Sequence, residues 1–157
     1  MKVLVAVDTA EQSDAPVEML KSLKLEDGSK IRIVSVVDRI IPVVTDIYDG
    51  PLMDETALEK TATDRATRAL KEIGEGVEGS FTTENVTVST EVLFGSPDRC
   101  IVEAAEQMDS DLIIVGSHGY KAWERLLIGS VSDSVVHHAP CSVMVVRTKP
   151  DKPGSDL

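Results

Sequence analysis

Four short runs of Val, Ile and Leu, each closed by a polar or glycine residue, constrain the fold of this chain more than any other feature. They are Val3-Leu-Val-Ala-Val7 before Asp8, Ile31 to Val37 before Asp38, Leu112-Ile-Ile-Val115 before Gly116, and Val143-Met-Val-Val146 before Arg147. Near-continuous apolar runs of this length are the pattern of parallel strands covered on both faces. A fifth segment, Val86 to Leu93, alternates apolar with polar residues, which suits an edge strand with one wet face. The strands are therefore expected at Lys2 to Val7, Ile31 to Val37, Val86 to Leu93, Leu112 to Val115 and Val143 to Val146.

Helical spacing fills the intervals. The first helix begins near Ser13 or Asp14, tolerates Pro16 in its first turn and turns Met19, Leu20 and Leu23 inward. A second runs from Asp54 to Ile73 with Leu58, Ala62, Ala66, Ala69 and Ile73 on its apolar face. Asp64 with Arg68 and Arg68 with Glu72 are i,i+4 pairs on its exposed side, and Gly74, Gly76 and Gly79 are expected to break it. Ser96-Pro97 supplies an N-cap and a first-turn proline to a third helix, which buries Ile101, Ala104, Ala105 and Met108. A fourth runs from Val131 to His138. Strands and helices that alternate with right-handed crossovers give an α/β fold with an open parallel sheet.

At 157 residues the chain fits one domain, residues 1–148, followed by a flexible tail, 149–157, of Lys, Pro, Asp, Gly and Ser. No apolar run approaches the ~20 residues of a membrane span, and the start of the chain lacks a signal-peptide core, so a cytoplasmic protein is expected. The net charge of -11 argues against wholesale binding of nucleic acid, which draws on many cationic contacts to phosphate. It does not argue against a single nucleotide. Cys100 and Cys141, about 40 residues apart, match no metal spacing or disulfide framework, and His118, His137 and His138 complete no zinc set with them. They read as reduced, mostly buried thiols. The stretch from Asp38 to Gly50 is a long loop with Pro42 and Tyr48, of the kind that often carries function.

Ligands of open parallel sheets bind at the carboxyl ends of the strands, where strand order reverses. Gly116-Ser117-His118-Gly119, nine residues, then Gly129-Ser130 occupies such an end and re-enters a helix. Backbone N–H groups and a helix dipole meet there, which is what a phosphate binds. It is neither a Walker A loop nor Gly-x-Gly-x-x-Gly, and Gly116-x-x-Gly119 alone reads equally as a tight turn. Asp133, three residues after Ser130, completes a capping-box-like pair, and Lys121 and Arg125 could offset phosphate charge. With strands one and four as neighbours, Asp8 faces the glycine loop across a crevice.

The run from Gly116 to Val146 closely resembles the universal stress protein family, whose ATP-binding members share Gly, two residues, Gly, nine residues, Gly and Ser or Thr. The resemblance extends from Val3 to Arg147. It implies a Rossmann-like sheet in order 3-2-1-4-5 with helices on both faces, binding ATP, with Mg²⁺ as a possible companion, and most often a homodimer. By that resemblance Gly116, Ser117, His118, Gly119, Tyr120, Lys121 and Ala122 wrap the ribose and phosphates. Gly129, Ser130, Val131 and Ser132 give the phosphates backbone and hydroxyl contacts. Val36 meets adenine through its backbone, and Ala6 and Asp8 line the nucleotide from the first strand. Where many relatives read Asp-Gly-Ser, this chain has Asp8-Thr9-Ala10.

In the order 3-2-1-4-5 the last strand is an edge without inward charge or proline, so a twofold dimer through Ser142 to Arg147 is expected. His118 could act as acid or base or simply supply backbone, while His137 and His138 suit the negative end of a helix dipole. The resemblance implies nucleotide-dependent stress-response signalling as the expected role, and since no nucleophile, carboxylate pair or metal cluster is evident, no dedicated reaction is expected with it. Two alternatives stand beside it. One is a slow ATPase or nucleotidyl-transfer enzyme in which Asp8 holds Mg²⁺ or positions water. The other is a nucleotide-free interaction module acting through the Asp38 to Gly50 loop and the dimer edge.

Overall fold

The computed structural model describes residues 1–9, 15–38, 55–81, 85–117 and 128–147, with the side chains of 55–58 excluded. Outside the described residues lie the expected start of the first helix, residues 39–50 of the long loop, His118 to Ala122, Arg125 and the tail. The elements are β1 (Lys2–Ala6), α1 (Ala15–Ser22), β2 (Lys30–Val37), α2 (Glu55–Glu78), β3 (Thr87–Phe94), α3 (Pro97–Met108), β4 (Leu112–Gly116), α4 (Ser130–His138) and β5 (Ser142–Val146). All strands are parallel, in the order β3-β2-β1-β4-β5. The expected open five-stranded Rossmann-like α/β sheet is therefore what forms.

Alternation along each strand sorts the apolar residues onto the two faces. Val3, Val5, Ile31, Ile33 and Ile114 pack with Val17 and Leu20 of α1 and Leu70 and Val77 of α2. Leu4, Val34, Ile113 and Val115 pack on the other face with Ile101, Ala104 and Ala105 of α3 and Val135 of α4. The central strands β1 and β4 are covered on both sides, which explains their unbroken hydrophobicity. β3, with its alternating pattern, is the edge beside β2, as expected, and most of its residues are half-buried or exposed.

The second helix differs from its expected form. It continues through Gly74 and Gly76 to Glu78, and its buried stripe is Ala66, Leu70, Gly74 and Val77, with Ala62 exposed. A Cβ on Gly74 would lie 2.7 Å from Cγ2 of Thr90 in β3, so the glycine is where the helix presses onto the edge strand. Close approach outweighs the roughly 1 kcal/mol of helix propensity that glycine forfeits to alanine. Gly74→Ala is accordingly expected to destabilise the protein by about 1 kcal/mol in urea melts, with Thr90→Ala in the same chain reversing the sign to a gain of up to about 1 kcal/mol. A stabilised single variant would show that Thr90 moves aside freely. Of the expected ion pairs on this helix, the Arg68 guanidinium instead donates to the Asp64 carbonyl at 3.3 Å.

Caps also depart from expectation. Ser96 precedes α3 in extended conformation with Pro97 following, yet its hydroxyl makes no cap hydrogen bond and donates to Asp98 Oδ1. α4 begins one residue early, with Gly129 as N-cap, so Ser130 is already helical and the Ser130–Asp133 capping pair does not form.

Candidate functional site

Leaving β1, the chain passes to β2 and β3 on one side and only later to β4 and β5 on the other, so strand order reverses between β1 and β4. Their register pairs Val5 with Ile114. Continued by two and three residues, it sets Val7 and Asp8 level with Gly116 and Ser117. Exposed Asp8 and the glycine motif therefore lie at the same carboxyl edge of the sheet, on neighbouring strands, at the switch point where open parallel sheets bind ligands.

Val7 carries the β1–β2 ladder one residue past the end of β1, its N–H donating to the Val34 carbonyl at 2.9 Å, which holds the start of the Asp8 turn against β2. Thr9 follows with its hydroxyl 3.2 Å from that of Ser35. Ser35 interrupts an apolar run and is 3% exposed, a polar side chain buried among apolar neighbours for which the Thr9 hydroxyl is the partner. Sequence reasoning passed over this pair, although a lone Ser inside Ile33 to Val37 was the available signal. Ala6 and Val36 are partly buried and pack with the cluster under α3 and α4, so both present the same face of the sheet.

The two halves of the glycine motif meet in a closed neck. Ser117 donates its N–H to the Val146 carbonyl at 2.7 Å, and Gly129 donates its N–H to the Ser117 carbonyl at 2.8 Å. The Ser132 hydroxyl donates to the carbonyl of Gly116. Ser117 and Ser132 are both buried, at 2% and 5% exposure. Chain that leaves after Ser117 thus returns at Ile128 to nearly the same point, and α4 starts there. Asp133 N–H is bonded to the Gly129 carbonyl at 2.9 Å, the first bond of the helix. The N–H groups of Ser130, Val131 and Ser132 fall in the first turn, which has no intrahelical acceptors, and they point out of the helix end. Gly129 is different, because its N–H is already committed to Ser117.

Of the residues expected at the site, Asp8 follows β1 and Gly116 and Ser117 close the neighbouring β4, so they share one edge of the sheet, and Gly129, Ser130, Val131 and Ser132 are tied to Gly116 and Ser117 through the neck. Ala6 and Val36 line the adjoining strands. His118, Gly119, Tyr120, Lys121 and Ala122 lie outside the described residues. Arg147, exposed at the exit of β5 and next in sequence to the residue that binds Ser117, adds a cation to this end of the sheet.

α4 is tied down at its middle as well. The Ser134 hydroxyl donates to Asp98 Oδ2 at 2.7 Å, joining α4 to the first turn of α3. Hydrogen bonds from Ser96 and Ser134 hold the Asp98 carboxyl below its ordinary range. A depressed carboxyl contributes stability above its unfolded value near 3.8, lost as pH falls through the lower folded value. Along the last turn of α4, His138 Nδ1 lies 2.7 Å from the Ser134 carbonyl, and His137 is 3.8 Å from Asp133. Cys100 and Cys141 are both free thiols, half-buried where fuller burial was expected. Burial pushes both up from the ordinary thiol value, Glu103 adding to the effect at Cys100 and Asp111 at Cys141. Both sites thus disfavour the reactive thiolate. Among the described residues no group of three or more His, Cys, Asp or Glu could hold a metal ion, and no helix is long and apolar enough to cross a membrane.

An open parallel sheet whose strand order reverses between β1 and β4, with helices on both faces, defines a Rossmann-like α/β protein. The sequence pattern of the universal stress protein family matches residues 1–147, and the chain belongs to that family. A universal stress protein of Staphylococcus aureus is 32% identical over 149 residues, covering 94% of this chain and 84% of that protein. Universal stress protein UspA from Lactobacillus plantarum superposes with a TM-score of 0.69 at 28% identity, over 94% of this chain and 97% of that one. A universal stress protein family protein from Arabidopsis thaliana, solved with AMP bound, has a TM-score of 0.64 at 20% identity and covers 99% of this chain and 97% of that one.

Proposed function

We propose that this protein binds an adenine nucleotide, ATP in the first instance, in the crevice between β1 and β4, and serves as a nucleotide-dependent regulator in stress response. The observation that carries the reading is the neck. It fixes a helix start, with three outward N–H groups, against the end of a parallel strand that borders the switch point. AMP bound to the relative from Arabidopsis thaliana supports the same ligand class. Ser130, Val131 and Ser132 are assigned to the phosphates, Gly116, Ser117 and residues 118–122 to ribose and phosphates, and Val36 and Ala6 to the adenine side. A Mg²⁺ accompanying the phosphates would suit Asp8, since such ions use one or two carboxylates plus phosphate oxygens. We assign no catalytic residue.

Denaturing the purified protein and identifying what it releases by mass spectrometry tests the reading directly. Adenine nucleotide is the expected product. With stripped protein, ATP at about 100 times its Kd should add about 2.7 kcal/mol of stability and raise Tm by several degrees. Release of no nucleotide together with an unmoved Tm would sink it. The same proposal includes a cytoplasmic homodimer paired through β5, whose outer edge, Ser142–Val146, offers unprotected backbone. A monomer mass by light scattering at micromolar concentration would exclude that pairing.

A further inference from the structure

We propose that Ser132 is a positioning residue for the nucleotide site, clamping the two halves of the glycine motif together with its hydroxyl instead of donating it to phosphate. A serine hydroxyl carries a single proton. In Ser132 that proton goes to the Gly116 carbonyl, and the side chain is 5% exposed. A phosphate oxygen only accepts hydrogen bonds, so what it can draw from Ser132 is the backbone N–H. The hydroxyl works at one remove. It links the first turn of α4 to the last residue of β4, sixteen positions earlier.

Two backbone bonds complete the clamp. Ser117 holds Val146 of β5 through its N–H, and its carbonyl receives the N–H of Gly129. β5, β4 and α4 therefore converge on one point, which fixes the outward N–H groups of residues 130–132 against the end of β4, the strand beside β1. Removing the Ser132 hydroxyl also uncovers the Gly116 carbonyl, whose lone pairs would then face an anion. Both effects weaken a phosphate ligand while leaving its donors chemically intact.

The inference rests on the nucleotide reading above, and its test separates the two. In ligand-free full-length protein, Ser132→Ala is expected to speed hydrogen exchange of the Gly129 and Ser117 amides about tenfold, leaving Leu4 and Ile113 amides unchanged. ATP affinity, measured by titration calorimetry, should fall about tenfold, and Ser132→Thr, which keeps the hydroxyl, should return both readouts to within about twofold. Wild-type protection of Gly129 in Ser132→Ala overturns the clamp. Uniformly faster exchange at every amide makes Ser132 a general stability contact and overturns it too. Faster local exchange with unaltered ATP affinity breaks the link to the ligand. A wild-type protein that binds no ATP overturns the nucleotide reading, and the exchange comparison then still decides whether the clamp exists.

Discussion

Ser130→Asp is expected to weaken adenine-nucleotide binding roughly 30- to 150-fold while leaving the protein as stable as before or slightly more so. Ser130 is the first residue of α4 and is exposed, so a carboxylate there meets the positive end of the helix dipole. That placement stabilises a helix by about 0.3–1 kcal/mol. The same carboxylate occupies the ground assigned to a phosphate. Two like charges 4 Å apart near a protein surface repel by about 4 kcal/mol at an effective dielectric of 20. After salt screening has removed a third to a half, about 2–3 kcal/mol remains, or roughly 30- to 150-fold in affinity. Ser130→Ala should cost less than about tenfold, since only one hydroxyl contact is lost. Titration calorimetry with ATP, set beside urea melts, reads both signs at once. Undiminished affinity in a well-folded Ser130→Asp variant would place the ligand elsewhere.

The largest effect on stability is expected from Leu4→Ala. Leu4 is fully buried in β1, with β2 and β4 on either side and α3 packed above it. Its neighbours in that layer include Ala104 and Ala105, side chains too short to lean into the space it would vacate. Leucine-to-alanine changes at such sites cost about 3–5 kcal/mol, combining lost transfer energy with an unfilled cavity. Against a total stability of about 5–15 kcal/mol this is a large share, and Tm should drop by roughly 10–15 °C. Val88→Ala on the edge strand, where the side chain is half-buried, should lower stability by no more than about 1–1.5 kcal/mol in the same urea melts. Equal losses at the two positions would mean that the sheet interior is not packed as described.

Much of this arrangement was legible in the residues. Apolar runs of Val, Ile and Leu marked β1, β2, β4 and β5 to within a residue or so, and the alternation after Val86 marked an edge. Ser96-Pro97 marked the start of α3, with Ile101, Ala104 and Ala105 buried as the spacing required. The end of α2 was not legible, because Gly74 reads locally as a helix breaker. Its meaning depends on Thr90, a residue from another strand. Likewise Ser130 has the composition of an N-cap, yet Gly129 takes that place once its N–H is drawn to Ser117.

By itself the sequence determined the α/β class, the parallel sheet, the family pattern and the ends of the strands at which polar residues gather. Those properties are local, since periodicity and glycine spacing need no partner to be read. Only the tertiary structure decided which polar groups around the glycine motif are already bonded within the chain. Gly129 N–H and the Ser132 hydroxyl look like phosphate donors in the sequence, but carbonyls of Ser117 and Gly116 accept them. A hydrogen atom has one place to go, and its acceptor here arrives from a strand brought near by the fold.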